Sequence, residues 1–512
     1  MMKRIIAGLF VLLLVMLAII LVAPNFIDWN KHKDTLVTHA SAYLGRDVVV
    51  GGDISFRLLP NPQLQVDDVS VASIDGAKEP NLLKLKSLEA RVRLMPLLEG
   101  RVEIEKIHLV EPQLTLEMLP DGRAGWHGLV QGAEGRVMTF GSAGDAVTLN
   151  DVTLRGGRVR YVQAATGTDI EFGNLNLSVA APSLRGPYKI AGDMVFRDVP
   201  VNVEITTGQG GGSQGLSVNA LFQPLEKLPQ MALTGNLTSN NGAGFDGTLN
   251  MSQGAPASLF SQRLLTQTAW MNEDMTLSAA LSARGGAFSL RDIDAQIGKQ
   301  GKITGSVTYD RPQMEIPHLT ADLTLAHIDL GKDAAPMPAL PAGMQANIKL
   351  NGKSVKWRGV TLNGLALDVA SQSNQWLIKS LRADLAGKAV FKASGAANPL
   401  QNTSSLKIEL SVDDVPAFAK TYDAVLSKRL AAFWPALPPA GFKVAGNLDV
   451  RGDRASLYNF DAAMGDAGKA SGVLNMLDDG IEARLNITGL DVQQLEETQR
   501  SALASVSYTH LT

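Results

Sequence analysis

From Arg46 onward, apolar and polar residues alternate with a period of two. Ile54, Phe56 and Leu58 alternate with Ser55 and Arg57, and Leu64 and Val66 with Gln63 and Gln65. Val69 and Val71 follow with the parity shifted, as a bulge or corner requires. Leu88, Ala90, Val92 and Leu94 alternate with Glu89, Arg91 and Arg93, and Val102 and Ile104 with Glu103 and Glu105. Each run is about 4–8 residues long and is bounded by Pro or Gly. Such a pattern predicts a mainly β chain, an antiparallel sheet apolar on one face. The stretch AVTLNDVTLRGGRVRYV reads as two further strands joined at Gly156-Gly157, and the alternation continues through LSVNALF. Between the blocks, Pro120 to Asp145 holds seven Gly and few apolar residues, which reads as a loop. The best helix is Asp28 to Leu44, with Gly45 as its stop; Gln262 to Trp270 and Ala417 to Trp434 are the other candidates.

The N-terminus breaks the pattern. Lys3 and Arg4 precede an uncharged apolar run of 19 residues, Ile5 to Ala23. As a helix this run would measure about 28 Å, close to the roughly 30 Å hydrocarbon core of a bilayer. It is longer than a signal-peptide core and lacks a small-residue cleavage site. It therefore predicts an uncleaved anchor, with Ile5, Leu9, Leu13, Met16 and Ile20 in the membrane. Lys3-Arg4 would place the N-terminus in the cytoplasm and the rest of the chain outside the inner membrane. Trp29 fits either an interfacial aromatic beside the anchor or core packing against the first strands.

Later in the chain a pattern recurs. FSLRDIDAQIGKQGKITGSV, LIKSLRADLAGKAVFKASGAA and SLYNFDAAMGDAGKASGVLN share one plan. A strand leads to Asp294, Asp384 or Asp461, a turn follows at Gly298, Gly387 or Gly465, and a second strand ends at Gly305, Gly395 or Gly472. Similar units set side by side predict a sheet that grows in one direction.

Composition narrows the chemistry. The 512 residues carry a net charge of −3, so no basic excess points to nucleic acid. With no Cys, disulfides, thiolate catalysis and Cys-based zinc sites are excluded. Gly210, Gly212 and Gly215 match a dinucleotide-binding spacing by letters, but Leu216, Val218, Ala220 and Phe222 read as a strand where that motif needs a helix. The recurring Asp residues read as turn caps, because calcium loops need several oxygens within a dozen residues. His32 and His39, seven apart, do not have the spacing of a two-His metal site. Asp67-Asp68 and Asp413-Asp414 read as solvated strand ends, and Arg451-Gly452-Asp453 as a turn. No catalytic, metal or cofactor-binding residues are expected, and no enzyme activity.

An ordered set of short motifs carries a resemblance. It comprises Leu44-Gly45-Arg46, Gly52, Leu59-Pro60, Pro62, Asp68-Val69, Pro96-Leu97-Leu98 with Gly100, Glu111-Pro112 and Gly125-Trp126, all behind the apolar run. Over about residues 1–130 this resembles the AsmA-like family of Gram-negative envelope proteins, related to the chorein-type bridge-like lipid-transfer proteins. The resemblance implies an inner-membrane protein whose periplasmic sheet curls into an elongated groove with an apolar inside. It implies support of outer-membrane homeostasis by binding or conducting phospholipid, or, alternatively, a scaffold for assembling outer-membrane proteins. An envelope hydrolase with a scattered active site is a third reading. The candidate groove lining is Ile54, Phe56, Leu58, Leu64, Val66, Val92 and Leu94, with Leu59-Pro60 as a corner. The same faces could instead pack on each other as a sandwich.

The expected organisation is an anchor at 1–23, a membrane-proximal region at 24–130, a sheet region at 131–260, repeated β units at 261–492 and a tail at 493–512. The ending Ser507 to Thr512 resembles translated adapter read-through, so the natural chain is expected to continue.

Overall fold

A computed structural model describes residues 28–489, except 59–60, 99–102, 120–122, 127–147, 164–167, 183–185, 210–214, 226–227, 239–243, 253, 256–269, 271–272, 285–286, 311–315, 332–343, 373–374, 423–440, 465–467 and 478–479. The proposed anchor, with Ile5, Leu9, Leu13, Met16 and Ile20, lies outside the described residues, as do the Leu59-Pro60 corner and almost all of the helix candidate Gln262 to Trp270. Among the described residues, no helix is long and apolar enough to cross a membrane. They hold 27 strands and few short helices. The chain divides into two units, residues 1–238 and 239–512.

The first unit opens with a 3-10 turn, Trp29–His32, and helix α1, Lys33–Leu44. Gly45 stops the helix in the left-handed conformation, as the sequence predicts. The strands are β1 (Val48–Val50), β2 (Ile54–Arg57), β3 (Gln63–Ala72), β4 (Asn81–Val92), β5 (Glu103–Val110) and β6 (Gln113–Met118). A one-turn helix α2, Leu94–Leu98, separates β4 from β5. Then come β7 (Thr148–Gln163), β8 (Thr168–Ala181), β9 (Lys189–Phe196), β10 (Val199–Thr207), β11 (Leu216–Pro224) and β12 (Met231–Thr238).

Both β1 and β2 pair with β3, so they form one interrupted edge strand. The interruption, Gly51-Gly52, lies against a bulge at Asp67-Asp68, where Asp68 has φ 52°. The amides of Gly51 and Gly52 donate to the carbonyls of Asp68 and Asp67 at 2.7 and 3.1 Å. A Cβ on Gly52 would come within 2.8 Å of the Asp67 backbone, so only glycine fits. This is the predicted parity shift. It also places Asp67-Asp68 inside a strand, not at a strand end, with Ser87 Oγ donating to Asp67 at 2.6 Å. β5 and β6 are likewise one kinked strand, broken at Glu111-Pro112, where Glu111 has φ 49°. Much of the ordered motif set therefore marks places where the ladder bends.

Two sequence expectations change here. Thr148–Gln163 is one 16-residue strand, and Gly156-Gly157 is a bulge within it, not a turn. The sheet is mixed rather than antiparallel, because β5 and β6 run parallel to β7. The 29 residues between Met118 and Thr148 are enough for the crossover that a parallel neighbour requires.

The second unit contains β13 (Gly244–Met251), β14 (Met275–Arg284), β15 (Ala287–Ile297), β16 (Gly301–Asp310), β17 (His318–Ala326), β18 (Gln345–Lys353), β19 (Val355–Trp357) and β20 (Val360–Gln372). It continues through β21 (Gln375–Leu385), β22 (Ala389–Asn398), β23 (Thr403–Val412), helix α3 (Val415–Tyr422), β24 (Phe442–Arg451), β25 (Arg454–Ala463), β26 (Lys469–Met476) and β27 (Ile481–Thr488). Neighbours pair antiparallel except β17 and β18, which are parallel across the connection 327–344. The helix expected over Ala417 to Trp434 is seen as α3, and the remainder lies outside the described residues. Asp414 caps α3, its Oδ1 accepting from the Ala417 amide at 3.0 Å.

The repeat is present with different anatomy. Gly305, Gly395 and Gly472 lie in mid-strand, not at strand ends, with φ of 135°, 143° and 145°. Each faces a register shift in the preceding strand, in β15, β21 and β25 respectively. A Cβ on each would collide with the carbonyl oxygen of Asp322, Ser405 or Arg484 in the following strand. Gly192 in β9 also has a positive φ and leaves no room for a Cβ, but there the carbonyl belongs to Asn176 in the preceding strand β8, so it is a related feature and not a further copy. Bulges sharpen local bend and twist, so each station redirects the ladder. Asp294 and Asp384 sit within strands, not turns, and pair with Lys302 and Arg382, each at 2.9 Å. Gly465 lies outside the described residues.

Candidate functional site

Register connects the strands into continuous rows, because residues opposite one another share a face. In the first unit one row runs Phe56, Leu64, Ala90, Ile107, Val152, then Val179, Ile190, Ile205, Ala220 and Leu233. Beside it runs a second: Ile54, Val66, Leu88, Leu109, Leu154, then Leu177, Gly192, Val203, Phe222 and Met231. Neither row contains a polar side chain. One residue over, the face reverses: Ser55, Gln65, Glu89, His108, Thr153 and Ser178 line up. On that polar face His108 Nδ1 and Thr153 Oγ1 are 2.6 Å apart.

The second unit repeats the arrangement over fourteen strands. Its apolar row runs Gly247, Leu281, Leu290, Val307, Ala321, Ile348 and Val369, then Ile378, Gly395, Leu406, Leu448, Leu457, Leu474 and Ala483. The opposite face carries Asp246, Ser282, Ser289, Thr308, Thr320 and Asn347, and further on Ser405, Asp449, Ser456 and Asn475. Along β23, Leu406, Ile408 and Leu410 are half-buried while Ser405, Lys407 and Glu409 are exposed.

The half-burial matters. The apolar clusters around Leu175, Ala346 and Ala279 draw on neighbouring strands of one ladder, and none includes a residue from a facing sheet. A fourth cluster gains a cover, where α3 sets Phe418 and Tyr422 on Ala389, Val412 and Phe442. Tyr422 Oη accepts from the Ala386 amide at 3.0 Å, which fixes the helix there. An apolar surface of this extent is costly to leave in water, which makes this face the candidate site.

The sequence-predicted lining residues fall in three groups. Ile54, Phe56, Leu64 and Val66 lie together on the apolar face. Val92 ends β4 opposite Ile104. Leu58 follows the end of β2, and Leu94 opens α2, so neither extends a strand as the alternation suggests. Pro96 ends the strand pattern, since proline cannot donate to a ladder. Trp29 packs against the first strands, edge-on to Phe56 with ring centres 5.5 Å apart. Sequence alternation missed most of the rows, because it shows parity within a strand but not the register between strands.

Among the described residues, one buried polar atom interrupts the apolar face. Ser371, 5% exposed and flanked by Ala346 and Trp376, has a hydroxyl without a hydrogen-bond partner. On the other face ion pairs are frequent. Arg160 binds Asp169 at 2.7 Å and Glu79 at 3.2 Å, and its hydrogen bond holds the Asp169 carboxyl below the usual carboxylate range. Among the described residues, no three His, Asp or Glu side chains gather as metal ligands.

Comparison with known proteins agrees with the motif set. The sequence model of the AsmA family matches residues 1–214. The chain is similar to the AsmA family protein YhjG of Escherichia coli (strain K12), 23% identical over 172 residues. That match covers 31% of this chain and 25% of the relative, so the chain spans about a quarter of the relative's length. No solved structure matches.

Proposed function

We propose, from the AsmA match over residues 1–214, that this is an envelope protein anchored in the bacterial inner membrane by Ile5 to Ala23, with its sheets in the periplasm. Its apolar rows bind or conduct the acyl chains of phospholipid, in support of outer-membrane homeostasis. The observation that carries this reading is the row register: in the rows described above, ten strands of one unit and fourteen of the other present only apolar side chains or Gly. An acyl chain needs a long apolar track and no directional partner, and an open row supplies that. The polar face supplies solubility. The proposal gives no residue a catalytic role and needs no cofactor.

Photo-crosslinking tests it. Benzoylphenylalanine placed at Ile205, Leu406 or Leu448 is expected to capture phospholipid, and at Ser178 or Ser405 to capture none. Adducts to protein alone, with no co-purifying lipid, would sink the lipid reading and favour a scaffold for outer-membrane proteins.

A further inference from the structure

The first apolar row has an outermost member that is not on a strand. β2 is at the margin of the sheet, and beyond it the 3-10 turn places Trp29 edge-on against Phe56, 5.5 Å between ring centres. Phe56 faces Leu64, and Leu64 faces Ala90, so Trp29 stands at the head of the row. The turn is held to this margin by its own polar contacts. Asn30 Oδ1 accepts from the Ile54 amide at 2.9 Å, and Lys33 Nζ donates to the Gly52 carbonyl at 2.8 Å.

Chain length fixes where this margin lies. Trp29 is six residues after Ala23, the last residue of the apolar run. At about 3.5 Å per residue the connection reaches at most roughly 20 Å. If the run spans a bilayer, the Trp29–Phe56 pair lies within that distance of its surface. Row positions on later strands carry no such tether. Trp is also a side chain suited to the bilayer–water boundary.

We infer that Trp29 and Phe56 form the portal by which a phospholipid acyl chain leaves the anchoring membrane and enters the first apolar row. The inference rests on the lipid reading above and adds an entry point and a direction to it. Both rings are half-buried, so they are packed against one another yet accessible to a chain sliding along the margin. A carboxylate at Phe56 would set a charge in the path of the acyl chain, which is strongly unfavourable in an apolar environment.

The test uses the full chain in its membrane, with benzoylphenylalanine at Phe56 or at Leu233, the far end of the same row. Both positions are expected to capture phospholipid. Phe56→Glu is expected to lower capture at Leu233 by about tenfold or more, whereas Ser55→Glu, on the opposite face, leaves it unchanged. Lipid captured at Leu233 but not at Phe56 would overturn the portal while leaving the lipid reading intact. So would undiminished capture at Leu233 in a Phe56→Glu protein of unchanged protease resistance. If Phe56→Glu does not fold, capture at Phe56 in the otherwise unsubstituted chain decides. No lipid at either position, nor at Leu406, would overturn both.

Discussion

Gly305 turns its bare side onto the carbonyl oxygen of Asp322 in the next strand, at φ 135°. The strand opposite shifts register at that point, between Leu290 and Ile293. Bulge and glycine thus form one joint, repeated at Gly395 and Gly472.

Gly305→Ala or Gly395→Ala should therefore cost about 3 kcal/mol, combining a disfavoured backbone with a carbonyl clash. Gly452→Ala, at an exposed hairpin with open space around it, should cost less despite its φ of 61°. Denaturant midpoints of the full chain in detergent compare the two. Equal losses would contradict the joint.

Ser371→Ala should be neutral or stabilising by up to about 1 kcal/mol, since it removes a buried hydroxyl that has no partner. A clear loss of stability on calorimetry would show that the hydroxyl is satisfied in solution.

Asp169→Asn should cost under about 1 kcal/mol at pH 7, because the pair with Arg160 is half exposed. Arg160 lowers the folded pKa of Asp169, so the contribution is complete above about pH 4. It is lost as pH falls through the lowered folded value. The parent and variant stability curves should converge in acid, and divergence there would reverse the assignment.

The amide of Val48 donates to Ser41 Oγ at 2.9 Å, the Gly52 carbonyl accepts from Lys33 Nζ, and the Ile54 amide donates to Asn30 Oδ1. Alanine at Asn30, Lys33 and Ser41 together should cost about 1 kcal/mol per lost bond and bare the β1–β2 edge. Light scattering should then detect self-association that the single variants lack. A monodisperse triple variant would argue against an edge-sealing role.

Local chemistry was legible in the sequence. The Asp28 to Leu44 helix, the hairpin around Gly452 and the parity shift after Asp68 each depend on neighbours a few residues away. Gly305, Gly395 and Gly472 were visible as a pattern but read as strand ends, because glycine in a strand and glycine at a stop look alike without the partner strand. Alternation alone places Phe56, Leu64, Ile54 and Val66 on one face, whereas β2 ends one residue before Leu58 and β4 two residues before Leu94, ends that alternation does not mark. Parallel pairing of β5 and β6 with β7 depends on a connection that leaves no periodic signal.

The 3-10 turn and helix α1 take up three hydrogen-bonding groups at one margin of the first unit, at Val48, Gly52 and Ile54, so further strands are more readily added on the other side. Such an object has a fixed origin and an adjustable length. Hairpins carrying a bulge–glycine joint can be gained or lost downstream without disturbing the margin that Trp29 and Phe56 share. Variation among relatives should then appear as changes in hairpin number, while the first fifty-odd positions keep their spacing.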